Sequence, residues 1–215
     1  MLKIQYEDDA LIVCVKEAGV ATQTKNIGQR DMEIMLRTYR MQKGEPSYIG
    51  VVHRLDQPVS GLMVFAKTKE VAAHLSRQIA SKASDKYYYA VTDGIPAKQS
   101  GKLTDYLLRD GRTNFSRVVP DNTQGAKRAE LSYEVLEQKD GRALVRILLG
   151  TGRHHQIRVQ FAHAGTPLVG DCKYNFKENI RQTGEGLMLC SYKLAFVHPV
   201  TKKKLVFEME HPFSL

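Results

Sequence analysis

Nine short apolar runs, each bounded by turn-forming residues, set the tightest limit on how this chain can fold. They lie at residues 11–15, 48–52, 61–66, 87–92, 115–119, 131–136, 143–149, 187–197 and 204–208. Runs of that length between Gly, Pro, Asn and Asp are strand signals. Helical spacing is rarer: Met32, Met35, Leu36 and Tyr39 share one face, as do Ala72, Leu75 and Ile79, and Ile157, Phe161 and Ala164. The third helix is expected to open near Arg153 and to end at Gly165, with Pro167 beyond it. Strands outnumber helices and do not alternate with them, so the pattern predicts an α+β fold with a largely antiparallel or mixed sheet. Turn-rich spans are expected at 93–102, 109–114, 120–127 and 170–186, the last carrying Lys173, Lys177 and Arg181 and suited to contacting a polyanion.

A chain of 215 residues can bury a full core, so 1–215 is read as a single catalytic domain with room for two lobes. No apolar run approaches the ~20 residues of a membrane span, and no signal-peptide pattern opens the chain. Cys14, Cys172 and Cys190 are an odd number without close spacing, in apolar or strand-like surroundings. They read as reduced thiols of a cytoplasmic protein. Clustered Cys and His at zinc spacing are missing, so no metal is expected.

Two segments carry the chemistry. Residues 51–61, VVHRLDQPVSG, place Asp56 between two basic side chains and a turn signal, with an apolar run on each side. A carboxylate there can face a substrate while strands fix its direction, and nearby cations keep it ionised. The plain alternative is an Asp that starts a turn and pairs with Arg54. Residues 150–161, GTGRHHQIRVQF, follow an apolar run and gather Arg153, His154, His155, Gln156 and Arg158 at the start of a helix, a composition suited to anions. Here the alternative is a solvated basic face. The formal charge of +9, from 32 Lys and Arg against 23 Asp and Glu, favours a polyanionic partner. Several of the ten tyrosines adjoin basic residues, a pairing that suits unstacked bases.

Taken together these segments resemble the RluA-type pseudouridine synthases over nearly the whole chain. YEDDALIVCVKEAG at 6–19 is similar to the family's opening strand pair, and HRLD at 53–56 with Ser60 and Gly61 to its catalytic motif. KYYYAV at 86–91 with Gly94 resembles its tyrosine motif, GRHHQIR at 152–158 its arginine motif, and LCSYKLAFVHP at 189–199 its last strand. The chain departs from the family at Val59 and His154, where Thr is usual, and at Cys190, where His is common. These departures bear on subfamily rather than on reaction.

The resemblance implies the pseudouridine synthase fold with a central active-site cleft and a stand-alone catalytic domain without the N-terminal S4 RNA-binding module. It implies an isomerase that converts uridine in ribosomal or transfer RNA to pseudouridine, acting as a cytoplasmic monomer with RNA as its partner and no cofactor. Asp56 is the implied nucleophile or base, Arg158 its expected partner, and Tyr88 the active-site tyrosine, with Tyr87 and Tyr89 facing away along the strand. Arg54 is implied in displacing the target base, Leu189 in supporting it, and His53, Leu55, Arg153, His155 and Gln156 in the substrate site. For His53 a hydrogen bond that holds the turn is the competing structural role. Attack at the sugar, attack at the base and a glycal route all stay open.

Three rival readings explain less of the sequence. HRLD differs in spacing from the kinase His-Arg-Asp loop and lacks its companions. A hydrolase would need a second carboxylate or a metal beside Asp56. A non-catalytic RNA-binding or RNA-folding protein on the same fold is the stronger rival, yet a pure binder has no use for an anionic Asp in a phosphate-facing cleft.

Overall fold

The structure, a computed structural model, describes residues 2–24, 28–81, 85–176 and 186–215. The chain divides into two compact units, Met1–Lys86 with Ser191–Glu210, and Tyr87–Cys190 with His211–Leu215.

The first unit holds β1 (Lys3–Glu7), β2 (Leu11–Lys16), α1 (Met32–Gln42), β3 (Gly50–Val51), β4 (Ser60–Ala66), α2 (Lys69–Ala80), most of β10 (Leu189–Val197) and β11 (Lys204–Glu208). Its strands run in the order β1-β2-β4-β10, with β3 beside β4 and β11 beside β10. β1–β2, β2–β4 and β10–β11 are antiparallel. Leu11, Val13, Leu62, Val64, Leu194 and Phe196 form one sheet face, on which Val71 and Leu75 of α2 pack. Ile12, Cys14, Met63 and Phe65 on the opposite face are buried too. Burial on both faces explains why LIVCV and LMVFA read as continuous runs instead of alternating.

Each of these helices starts at a side-chain cap that the sequence supplies. Asp31 accepts from the amides of Ile34 (2.8 Å) and Thr24 (2.7 Å), and Thr68 accepts from Val71 N at 3.3 Å. Gly61 is required by contact as well as by conformation. Its φ is +128°, and a Cβ there would sit 2.2 Å from the carbonyl oxygen of Ser191. The residues just after Asp56 can therefore enter β4 alongside β10 only through glycine.

The second unit holds most of β5 (Asp85–Asp93), then β6 (Ser100–Asp110), β7 (Phe115–Val119), β8 (Lys127–Lys139), β9 (Arg142–Leu149) and α3 (Gln156–His163). Its strands run β5-β9-β8-β6-β7, all antiparallel. Asp140 and Gly141, both at positive φ, make the tight turn from β8 to β9. Val159 of α3 packs with Leu107, Ala129 and Tyr174, while Phe161 meets Tyr133 edge-on with ring centroids 5.6 Å apart.

Several expectations need correction. β6 fills the whole span between the turn-rich stretches expected at 93–102 and 109–114 and takes over 100–102 and 109–110 from them. Apart from the buried Leu107 its residues are exposed or half-buried and include Lys102, Thr104 and Asp105, so no apolar run announces it. The strand expected at 48–52 shrinks to Gly50–Val51. α3 starts at Gln156 rather than near Arg153, because His155 has left-handed backbone (φ 54°) and interrupts the turn before it. Cys172 is exposed, unlike the buried Cys14 and Cys190. Of the basic residues expected on the loop at 170–186, Lys173 is described, whereas Lys177 and Arg181 lie outside the described residues.

Candidate active site

The backbone around Asp56 is clamped from both sides within the first unit. Ahead of it, Leu55 N donates to Thr22 Oγ1 at 3.2 Å, and that hydroxyl donates to Leu55 O at 3.0 Å. Thr22 and Leu55 are both buried. Behind it, Gln57 O accepts from Gly19 N (2.8 Å) and from Lys16 Nζ (3.0 Å). The turn closes through Val59 N, which donates to Asp56 O at 3.0 Å. With residues 55 and 57 both fixed, the half-buried Asp56 side chain leaves the loop in a defined direction.

Lys16 is the residue that the sequence did not single out. Although wholly buried, it donates to three carbonyls, those of Glu17 (3.1 Å), Val20 (2.6 Å) and Gln57. Burial lowers its pKa to about 8, against an opposing pull from the Asp56 carboxylate. A lysine on an otherwise apolar strand is a weak sequence signal, and only its acceptors reveal the role. It brings a positive charge into the field of Asp56 and favours the ionised carboxylate.

His53 and Arg54 diverge. His53 Nε2 accepts from Val64 N at 3.1 Å, which ties the loop to β4. Burial, then the nearby Lys86 ammonium, lowers its pKa to about 3. The imidazole is thus neutral and acts as an acceptor, the turn-holding role. Arg54 is exposed, its guanidinium donating to Gln23 Oε1 at 2.6 Å.

The remaining expected residues belong to the second unit. On β5, Tyr88 is buried and stands opposite Ile147 of β9, on the same face as Lys86 and Ala90. Tyr87 and Tyr89 are half-buried on the other face, where Tyr89 packs edge-on against His211. The alternation expected for the tyrosine strand is therefore present. Leu189, the first residue of β10, is buried.

Arg158 is buried on α3 rather than part of a solvated basic face. The expected partner is Asp56, and within the second unit Arg158 pairs with Asp171. Arg158 Nε and Nη2 donate to the two carboxylate oxygens at 2.8 and 2.6 Å, a side-on fork that fixes the guanidinium plane. Asp171 is fully buried and also accepts from the amides of Lys173 and Tyr174. The Tyr174 ring lies 5.2 Å from the guanidinium. Asp171 falls in a turn-rich stretch without periodicity, so nothing local distinguishes it.

Gln156 is buried and works as a strut. Its amide oxygen accepts from Thr151 Oγ1 (2.7 Å) and Arg153 N (3.0 Å), and its nitrogen donates to Glu130 O (3.0 Å). Arg153 is exposed, with Nε donating to Arg128 O at 3.0 Å. His155 is buried, its Nδ1 2.7 Å from Tyr174 Oη, and its pKa is pushed down to about 2 by burial and then by Arg158. Among the described residues no group of three or more His, Cys, Asp or Glu is placed to hold a metal ion, and no helix is long and apolar enough to cross a membrane.

A family model described as RNA pseudouridylate synthase matches residues 10–163. The chain is 34% identical over 220 residues to "Uncharacterized RNA pseudouridine synthase YhcT" of Bacillus subtilis, covering 100% of this chain and 70% of the relative. It is 32% identical over 220 residues to tRNA pseudouridine synthase C of Pasteurella multocida, covering 95% and 89%. It is 32% identical over 222 residues to ribosomal large subunit pseudouridine synthase D of Neisseria meningitidis, covering 98% and 58%. Among solved structures, Human RNA Pseudouridylate Synthase Domain Containing 1 matches with a TM-score of 0.81 at 24% identity, covering 100% of this chain and 85% of that one. This structural likeness bears on the fold, which is α+β as the strand pattern predicted.

Proposed function

Since the chain belongs to the RNA pseudouridylate synthase family, we propose that Asp56 is the catalytic carboxylate with which it isomerises particular uridines of ribosomal or transfer RNA. The observation that carries this reading is the clamp on Asp56, built from Thr22, Gly19 and the buried cation of Lys16. Such a clamp holds an anionic side chain in one direction before substrate arrives, which lowers the cost of reaching a reactive geometry. A carboxylate that merely opened a turn would need no buried lysine beside it.

In the reaction the N1–C1′ bond of uridine breaks, the base turns, and C5 joins C1′. The C5 proton leaves and N1 gains one, so nothing is oxidised and no group leaves the RNA. Asp56 acts on the nucleotide as nucleophile or as base. Tyr88 stacks on the uracil and assists removal of the C5 proton. Arg158, held in one orientation by Asp171, completes the catalytic set. Arg54, exposed and held by a neutral amide, helps to displace the target base, a step that costs a few kcal/mol. Leu189 supports the base, and Arg153 and His155 serve the substrate site. The same reading takes the protein as a cytoplasmic monomer that needs no small-molecule cofactor.

Relatives named for transfer RNA and for the large ribosomal subunit both match this chain, so either RNA class supplies the substrate. The test is to map pseudouridines across total RNA from a strain lacking the gene, its parent, and a strain carrying Asp56→Asn. Sites lost in both altered strains support the proposal. An unchanged map in the Asp56→Asn strain would overturn the role given to Asp56.

A further inference from the structure

His154 is one of the positions where the sequence departs from its family, and its surroundings in the second unit are not explained by the catalytic set. Its ring stacks on that of His155 with centroids 3.7 Å apart, and its Nδ1 lies 2.9 Å from Ser116 Oγ on β7. The stack is fixed at its other member too. Ser116 N donates to Tyr174 Oη at 2.8 Å, and that oxygen is 2.7 Å from His155 Nδ1. An imidazole held so firmly, and still half-exposed, is a preorganised polar surface.

Two cations are anchored beside it on one residue, Asn114, at the tip of the β6–β7 hairpin. Arg109 Nη2 donates to the Asn114 side-chain oxygen at 3.1 Å, and Lys173 Nζ donates to its carbonyl at 3.0 Å. Lys173 also lies over the Phe115 ring at 4.8 Å. Register places Arg109 directly opposite Ser116, so the arginine and the serine that holds His154 share one side of the hairpin. Burial first, and then the cations Arg109, Lys173 and Arg158, lower the His154 pKa to about 4. The acids nearby are already engaged. Asp171 is forked by Arg158, and Asp110 caps the hairpin through Thr113 and Arg112 N.

We infer that His154, Arg109 and Lys173 form a binding site for a backbone phosphodiester of the RNA. The inference rests on the RNA-modifying reading above and adds where the second unit grips its substrate. In the free protein burial, and after it the three cations, keep His154 neutral. A phosphodiester seated among them reverses the local field and favours the imidazolium, so binding takes up a proton. RNA affinity should then rise as pH falls, and this chain should differ in that respect from relatives with Thr at the same place.

The experiment measures binding of a short single-stranded RNA by the full chain between about pH 7 and about pH 5 at constant ionic strength. Wild type, His154→Gln, His154→Thr and Arg109→Gln are compared. The His154 ring is followed by NMR with and without the RNA, and thermal unfolding of each variant monitors folding. The expected result is affinity that increases several-fold towards the acid end for wild type, with a raised His154 pKa in the complex. Both His154 variants should lose the acid-side gain, and Arg109→Gln should bind more weakly at every pH. Folded variants with the wild-type pH profile, or a His154 resonance insensitive to RNA, would overturn the site while leaving the RNA reading intact. Wild-type protein that neither binds RNA nor forms pseudouridine would overturn both.

Discussion

Lys16 Nζ donates to the carbonyl of Gln57, 3.0 Å away and 41 residues later, immediately after Asp56. The bond joins the end of β2 to the loop that presents the carboxylate, and it places a buried positive charge within the influence of Asp56. A neutral side chain of the same length could fill the space but could neither donate to three carbonyls nor supply that charge.

Lys16→Met should therefore lower kcat by on the order of tenfold to hundredfold with a smaller change in KM, as expected when an oriented group is loosened. Wild-type turnover should also decline as pH rises through about 8, where Lys16 loses its proton. Stability should move the other way. With a folded pKa below the unfolded value, the unfolded chain binds more protons between the two, so the Lys16 contribution to stability rises with pH above about 8. A pH–rate profile beside thermal unfolding checks both signs. Turnover that holds through the alkaline range would remove Lys16 from the site.

Asp56→Asn should abolish pseudouridine formation and leave RNA affinity equal or slightly better, because the change removes a charge that phosphates repel. Product analysis on bulk RNA is the measurement. Turnover above about a tenth of wild type, free of host enzyme, would argue against Asp56 as the catalytic carboxylate.

Asp171→Asn attacks the buried fork from its anionic side. Removing one partner of a buried pair costs about 3–5 kcal/mol, since the other charge is left uncompensated. The variant should unfold at clearly lower denaturant concentration and lose activity through misplacement of Arg158. Arg158→Met should resemble it in stability and exceed it in loss of turnover. Wild-type stability in both would mean that the fork is not a structural element in solution.

The tyrosine strand separates two roles by one residue. Tyr88→Phe should keep RNA binding and lose most turnover, whereas Tyr87→Phe and Tyr89→Phe, on the opposite face, should be mild in both. Steady-state kinetics on the three variants checks this ordering. The reverse ordering would assign the hydroxyl chemistry to the other side of β5.

Much of this was legible in the residues themselves. Continuous runs such as LIVCV and LMVFA marked strands, and helical spacing marked α1 and α2. These properties depend on neighbours one to four residues apart, which the sequence carries directly. It equally determined that Tyr88 and Tyr87 face opposite ways. Tertiary structure decided how the polar groups were satisfied. Lys16 looks like a strand-end lysine until residues 20 and 57 supply its acceptors, and Asp171 looks like a loop acid until Arg158 docks on it. β6 stayed hidden because its residues are half-exposed, and α3 began late because His155 adopts a left-handed backbone. In each case the deciding contact links residues or conformations that no local periodicity encodes. A buried charge or amide must find its partner wherever the folded chain brings one within hydrogen-bond reach.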